Sequence, residues 1–297
     1  MLIFNKNQMR IYLNVLRTIV LKYPIFKNIF LKVENLIYNP FTNFEKLLNY
    51  KINQSQNLYE KILGKIRNDD KNYSFKDKVI LEIGPGNTLL LAIIFILNGA
   101  DRVYLVDRFK QIFDDLLNSI LYNQIIKKLH TNNHFHDIKD FQSIKNKIRY
   151  FSKNPIEAID QLRNESVDLI FSNAVLEHVS ELDLAIKKIS MLLKQGGYTF
   201  HHVDLKDHYH TNDKCYLNFL KYSERIWNFI GNTNRIRYSE YISLFGKYEF
   251  DIIEIDQHKT KSILKIKEIK PNFNKRFRNL TENDLSILDF NILAKRL

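Results

Sequence analysis

Two carboxylates and two glycines make up the most telling chemistry in this sequence. Glu82 and the turn Gly84-Pro85-Gly86 close an apolar run, Val79-Ile-Leu-Glu-Ile83. Asp107 closes the next such run, Val103-Tyr-Leu-Val-Asp107, about twenty residues on. Glycine lets a backbone pass close to a ligand. A carboxylate at the following strand tip accepts hydrogen bonds from ribose hydroxyls. The combination describes a nucleoside-cofactor site. Glu82 narrows the choice, because a negative charge beside the turn repels a pyrophosphate and welcomes a cation. A dinucleotide fingerprint also wants a third glycine, and that place is held by Leu89.

A second group of reactive side chains lies in Phe200-His-His-Val-Asp-Leu-Lys-Asp-His-Tyr-His210. A neutral His beside a hydroxyl or amine can remove its proton. Strand side chains alternate, so His201 and His202 face opposite ways. Asp204 and His208 are spaced to meet if a helical turn follows. The expected base is His202 or His208, with Asp204 orienting the ring. The same groups would suit a divalent metal, or form a polar lid without chemistry; the expectation is no metal. Farther on, Tyr222, Arg225, Trp227, Arg235, Arg237 and Tyr238 offer aromatic faces and guanidinium forks for a sugar or an anion. The alternative is an ordinary helical insert. Glu177 and His178 are expected to open a helix in a structural role, the alternative for His178 being a catalytic base.

These residues need elements to hold them. Strands are expected at 79–83, 103–106, 148–151, 167–172 and 198–203, with helices at 88–97, 111–129 and 182–193 between them. A Pro155 turn and a helix to Leu162 should follow the third strand. Asn98-Gly99 and Gly196-Gly197 read as helix stops. Helices joining successive strands imply a parallel sheet. Two further strands, 250–255 and 290–294, flank a long basic segment and are expected to form an antiparallel pair at the sheet edge. Residues 1–75 show helical spacing only, divided by Pro24 and Pro40. They are expected to form a helical cap on a main domain of 76–297, which carries a helical insert at about 206–246.

Four segments carry a family resemblance: Leu81-Glu-Ile-Gly-Pro-Gly86, Asp107, Val167-Asp-Leu-Ile-Phe-Ser-Asn-Ala-Val-Leu-Glu-His-Val179 and Leu192-Leu-Lys-Gln-Gly-Gly-Tyr198. Together they resemble class I S-adenosylmethionine-dependent methyltransferases, in particular the type 11 group. The likeness covers roughly 77–205. One departure is Thr88, where this family often has a third glycine. The resemblance implies a seven-stranded, mostly parallel Rossmann-like α/β sheet with an antiparallel C-terminal strand. It implies S-adenosylmethionine as cofactor, whose ammonium and sulfonium suit Glu82. Glu82, Gly84, Pro85 and Gly86 would line the methionine moiety, Asp107 would hold the ribose, and Arg108 would lie over the adenine. A further adenine contact would fall near 152–154, and Asn173 would sit where the methyl group points. The expected acceptor is a small molecule or glycan, methylated at oxygen. The alternatives are an NAD-type oxidoreductase and an RNA methyltransferase.

Composition sets bounds. The chain has 297 residues, 45% hydrophobic, enough for one large domain and an extension. The formal charge of +12 comes mostly from scattered lysines and argues only weakly for nucleic acid. Cys215 is the single cysteine, which excludes an intrachain disulfide or a cysteine zinc cluster. With no secretory pattern and no long apolar run, the expectation is a cytoplasmic protein. An amphipathic surface around Ile11 to Val33 would allow contact with the inner membrane face.

Overall fold

The computed structural model of the 297-residue chain describes residues 44–86, 88–109, 115–130, 138–208, 216–259 and 263–297. The expected amphipathic surface at 11–33, Cys215 and His210 lie outside these residues. The chain divides into two compact units. The first comprises Phe44–Val203, Ile242–Asp256 and Asn291–Leu297, and the second includes Asp204–Tyr241 and Gln257–Phe290.

The chain begins its described part with α1 (Phe44–Asp69), followed by β1 (Val79–Ile83), α2 (Leu90–Leu97) and β2 (Arg102–Asp107). Then come α3 (Asp115–His130), β3 (Ile148–Ser152), β4 (Val167–Asn173), α4 (Leu182–Leu192) and β5 (Leu193–Asp204). After α5 (Glu224–Ile230) and α6 (Tyr238–Lys247) comes β6 (Phe250–Lys259). The last elements are α7 (Ile263–Ile269), α8 (Lys275–Arg278), α9 (Glu282–Ser286) and β7 (Ile287–Arg296). The seven strands form one sheet in the order β3-β2-β1-β4-β5-β7-β6. The first five are parallel, and the C-terminal strands are antiparallel, as expected.

Burial explains the central elements. Every side chain of α2 is buried, which is why its sequence is apolar all round. One sheet face, with Leu105, Phe171 and Phe200, shares a core with α1 and α2. Phe75 and Phe95 meet there edge-on at 4.8 Å. Each such buried side chain contributes about 1.5–3 kcal/mol. Asp69, at the end of α1, accepts hydrogen bonds from Tyr198 (2.6 Å) and Lys295 (3.0 Å), tying the helix to β5 and β7.

Three local expectations are corrected. No helix runs from Pro155 to Leu162; a single 3-10 turn spans Ile156–Ala158. Gly196 and Gly197 do not stop α4, which ends at Leu192; both lie inside β5. There they allow a register shift between Val167 and Leu169, because a Cβ on Gly197 would sit 3.2 Å from the Asp168 carbonyl. Glu177 and His178 lie in a 3-10 turn, Leu176–His178, ahead of α4 rather than opening it.

The second unit has its own core, which includes Phe219, Leu220, Trp227, Ile266 and Phe277. Arg235 and Arg237 are fully buried within this unit. Arg235 lies over the Trp227 and Phe277 rings, donates to the Tyr222 carbonyl (2.7 Å) and pairs with Glu224 (2.7 Å). Arg237 donates to the carbonyls of Leu205 and Ile287, both at 2.7 Å. The sequence left these forks open to an acceptor or to an ordinary helical insert; in the structure they bond backbone carbonyls and Glu224 within this unit.

Candidate active site

The glycine turn follows β1 directly. Gly84 (φ +69°) and Gly86 (φ +67°) both occupy the left-handed region, where a side chain is strained. The Gly84 amide donates to the Val106 carbonyl at 2.8 Å, which fixes the turn against β2. The two glycines differ in surroundings. A Cβ on Gly84 would come within 2.6 Å of Val175, whereas beside Gly86 there is open space. Thr88 accepts a hydrogen bond from the Leu90 amide (3.2 Å), and the Tyr122 hydroxyl accepts one from the Leu89 amide (3.1 Å). Those two bonds satisfy amides at the start of α2, and Thr88 does not take a positive φ, so glycine is not required at that position.

Strand register decides which side chains share a face. Glu82 lies opposite Leu105 and Phe171, and Phe171 lies opposite Phe200. Two residues farther along each strand, Asp107, Asn173 and His202 therefore fall on the face that carries Glu82. All four stand at or near the carboxyl ends of parallel strands, where open α/β sheets place their ligands. His201 takes the opposite face, as the alternation requires. It is fully buried between the hydroxyls of Ser172 (2.7 Å) and Thr199 (2.6 Å). Burial holds its pKa down to about 3, so it is a neutral core residue.

Glu82 is partly buried among apolar neighbours, and that desolvation pushes its carboxyl up to about 8. A cation placed beside it would offset the desolvation. Asp107 is buried at the tip of β2, where it accepts from the Phe109 amide (2.7 Å) through one oxygen. The adjoining turn is held by Tyr150, whose hydroxyl donates to the Phe109 carbonyl at 3.0 Å. The Asn154 amide donates to the Asp107 carbonyl at 3.1 Å, which brings the 152–154 segment beside this tip. Arg108 is exposed and reaches the Ser180 hydroxyl at 3.4 Å. Sequence reasoning missed Val175, Tyr122 and Tyr150. Val175 sits within the Val167–Val179 motif, but only the fold of the loops brings it against Gly84, and no local motif marks Tyr122 or Tyr150.

A family model described as "Methyltransferase domain" matches residues 56–254. The chain belongs to this methyltransferase family. Its cofactor is S-adenosylmethionine. The site fits that group: open space lies beside Gly86, and a cation placed beside Glu82 would offset the desolvation that raises its pKa. Among solved structures, the chain is similar to geranyl diphosphate C-methyltransferase from Streptomyces coelicolor A3(2), at 14% identity over 80% of this chain and 78% of that one, with a TM-score of 0.47. It is also similar to an S-adenosylmethionine-dependent methyltransferase from Mesorhizobium loti, at 12% identity over 77% and 95%, TM-score 0.43. A third, from Methanosarcina mazei, shares 17% identity over 76% and 96%, TM-score 0.44. No curated protein matches the chain.

The methyltransferase's second unit holds the other candidates. One oxygen of Asp204 accepts from the Lys206 amide (2.9 Å) and lies 3.3 Å from the Lys206 ammonium. Its other oxygen faces His208 Nε2 at 3.8 Å, an ion-pair rather than a hydrogen-bond distance. Lys206 continues to Asp289 at 2.9 Å, and Asp289 bonds His258 at 2.5 Å. No described helix is long and apolar enough to cross a membrane.

Proposed function

We propose that this methyltransferase modifies a small-molecule or glycan-type acceptor at an oxygen atom, in the cytoplasm. Within the methyltransferases, its motif spellings align with the type 11 group. The observation carrying this reading is the shared sheet face of Glu82, Asp107, Asn173 and His202 at the strand tips. Glu82 anchors the cationic amino-acid end of the cofactor, and Gly84, Pro85 and Gly86 let the backbone approach it. Asp107 takes the ribose hydroxyls through charge-assisted bonds, and Arg108 covers the adenine. Asn173 marks the place toward which the methyl group is directed. When bound, S-adenosylmethionine supplies a methyl already activated by positive sulfur, so no covalent enzyme intermediate is required. The residues have two tasks: alignment, which supplies much of the rate, and removal of the acceptor's proton. His202 or His208 takes that proton, and Asp204 steadies the imidazolium formed on His208.

Calorimetry with S-adenosylhomocysteine tests the cofactor site. Asp107→Ala is expected to weaken binding about 10- to 100-fold, the worth of one or two bonds to a charged group. Unchanged affinity would remove Asp107 from the site. A methylation assay on candidate glycans, with His202→Gln and His208→Gln, separates the two bases: the true base variant loses turnover without losing cofactor affinity.

A further inference from the structure

The second unit of the chain has an unusual surface. Among the described residues, four of the eight large exposed apolar side chains belong to it: Ile226, Phe229, Ile263 and Leu264. Leu264 is 81% exposed and Ile263 47%, side by side at the start of α7. The stretch from Lys259 to Arg278 around them contains eight basic residues and one acidic residue, Glu268. Some of that charge is matched within the unit. Lys270 pairs with Glu282 (2.9 Å), and Arg276 pairs with Glu240 (3.3 Å). Lys267 and Lys275 stay exposed.

We propose that α7 is a docking element for an anionic lipid surface, with Ile263 and Leu264 entering the acyl boundary and the surrounding lysines lying among headgroup phosphates. Exposed aliphatic side chains within a lysine-rich stretch are what interfacial binding uses. Each element of it has a reason. Two exposed aliphatic side chains on a seven-residue helix have nothing to gain from water, and Ile266 already supplies the helix's buried contact. Lysine stems are apolar and their heads charged, so they span the same boundary.

Nucleic acid is the rival for a basic surface, but its phosphates would leave Ile263 and Leu264 nothing apolar to enter, and single strands are held by stacking on aromatic faces as well. The aromatic residues of this stretch, Phe273 and Phe277, are fully buried and unable to stack on a base. A second copy of the chain is disfavoured because two faces of the same positive sign would meet. The inference is independent of the acceptor and of the methyl-transfer site.

Co-sedimentation of the full chain with vesicles decides the matter, using phosphatidylcholine alone and phosphatidylcholine mixed with phosphatidylglycerol. Binding is expected only with the anionic vesicles, and it should fall with added salt. Lys267→Gln and Lys275→Gln should each weaken it about fivefold. Leu264→Ser with Ile263→Ser should weaken it by about tenfold or more. All these positions are exposed, so S-adenosylhomocysteine affinity should stay unchanged and serve as the folding control. Equal binding to neutral vesicles, or none to either, overturns the proposal. So does anionic binding that all four substitutions leave intact, which would place the contact elsewhere on the chain. A short RNA that binds while vesicles do not would assign the surface to nucleic acid instead.

Discussion

Glu82 shows how much a single side chain can report. Its carboxyl is held near 8 by desolvation, so the unliganded protein carries it mostly protonated at neutral pH. A cationic ligand favours the carboxylate. Cofactor binding near pH 7 is therefore expected to release about one proton, and the release should vanish well above pH 8. Calorimetry in buffers of different ionisation enthalpy measures it directly; a buffer-independent heat would mean that Glu82 does not meet the cation. Glu82→Gln should abolish the release and weaken binding. That Glu82 belongs to the site was legible in the sequence, because a carboxylate in an apolar strand beside a glycine turn is conspicuous. Its protonation was not, since it depends on Leu105 and Phe171 from the neighbouring strands.

At the scale of elements, the two glycines of the turn should separate stability from binding. Gly84→Ala meets both left-handed strain and the Val175 side chain, so it is expected to cost about 1–3 kcal/mol of stability, read as a lower Tm. Gly86→Ala carries the backbone strain alone, and its added methyl projects into the open space the cofactor needs. It should unfold less readily than Gly84→Ala yet lose more cofactor affinity. In the second unit, Arg237→Ala leaves the carbonyls of Leu205 and Ile287 buried without donors. About 3 kcal/mol or more should be lost in urea unfolding. The strands plainest in the sequence are those buried on both faces, where parallel pairing makes continuous apolar runs such as Val167–Asn173. The Gly196-Gly197 pair was misread because a glycine pair in a strand and one at a helix stop look alike locally. The choice was made by Asp168, which accepts from the Val79 amide (2.9 Å) and Lys194 (2.8 Å) across the sheet. The role of Arg237 was hidden for the same reason: its acceptors come from residues 32 and 50 positions away.

For the whole molecule, two buried groups are expected to shape the dependence of stability on pH. His201, held down to about 3, stays neutral when folded but takes a proton when unfolded below its ordinary 6.5. Stability therefore falls as pH drops through that window. Glu82, raised from 4.5 to about 8, works the other way: the unfolded chain loses its proton first, and stability falls as pH rises. The two slopes oppose between 4.5 and 6.5, so Tm of the unliganded protein should be nearly flat there and decline towards 8. Thermal unfolding across this range checks it. Glu82→Gln should remove the decline above 6.5, and a decline that persists would trace to other groups.

Strand order has a consequence for biosynthesis. Among the described residues, β6 has β7 as its single sheet neighbour, because β7 stands between it and β5. A nascent chain that has emerged only as far as Lys259 thus exposes a ten-residue ribbon whose hydrogen-bonding mate has not been translated. Until Ile287–Arg296 arrives and threads into the gap, that ribbon is open to mispairing with other polypeptides. Chaperone dependence should therefore centre on the late arrival of this one insertion.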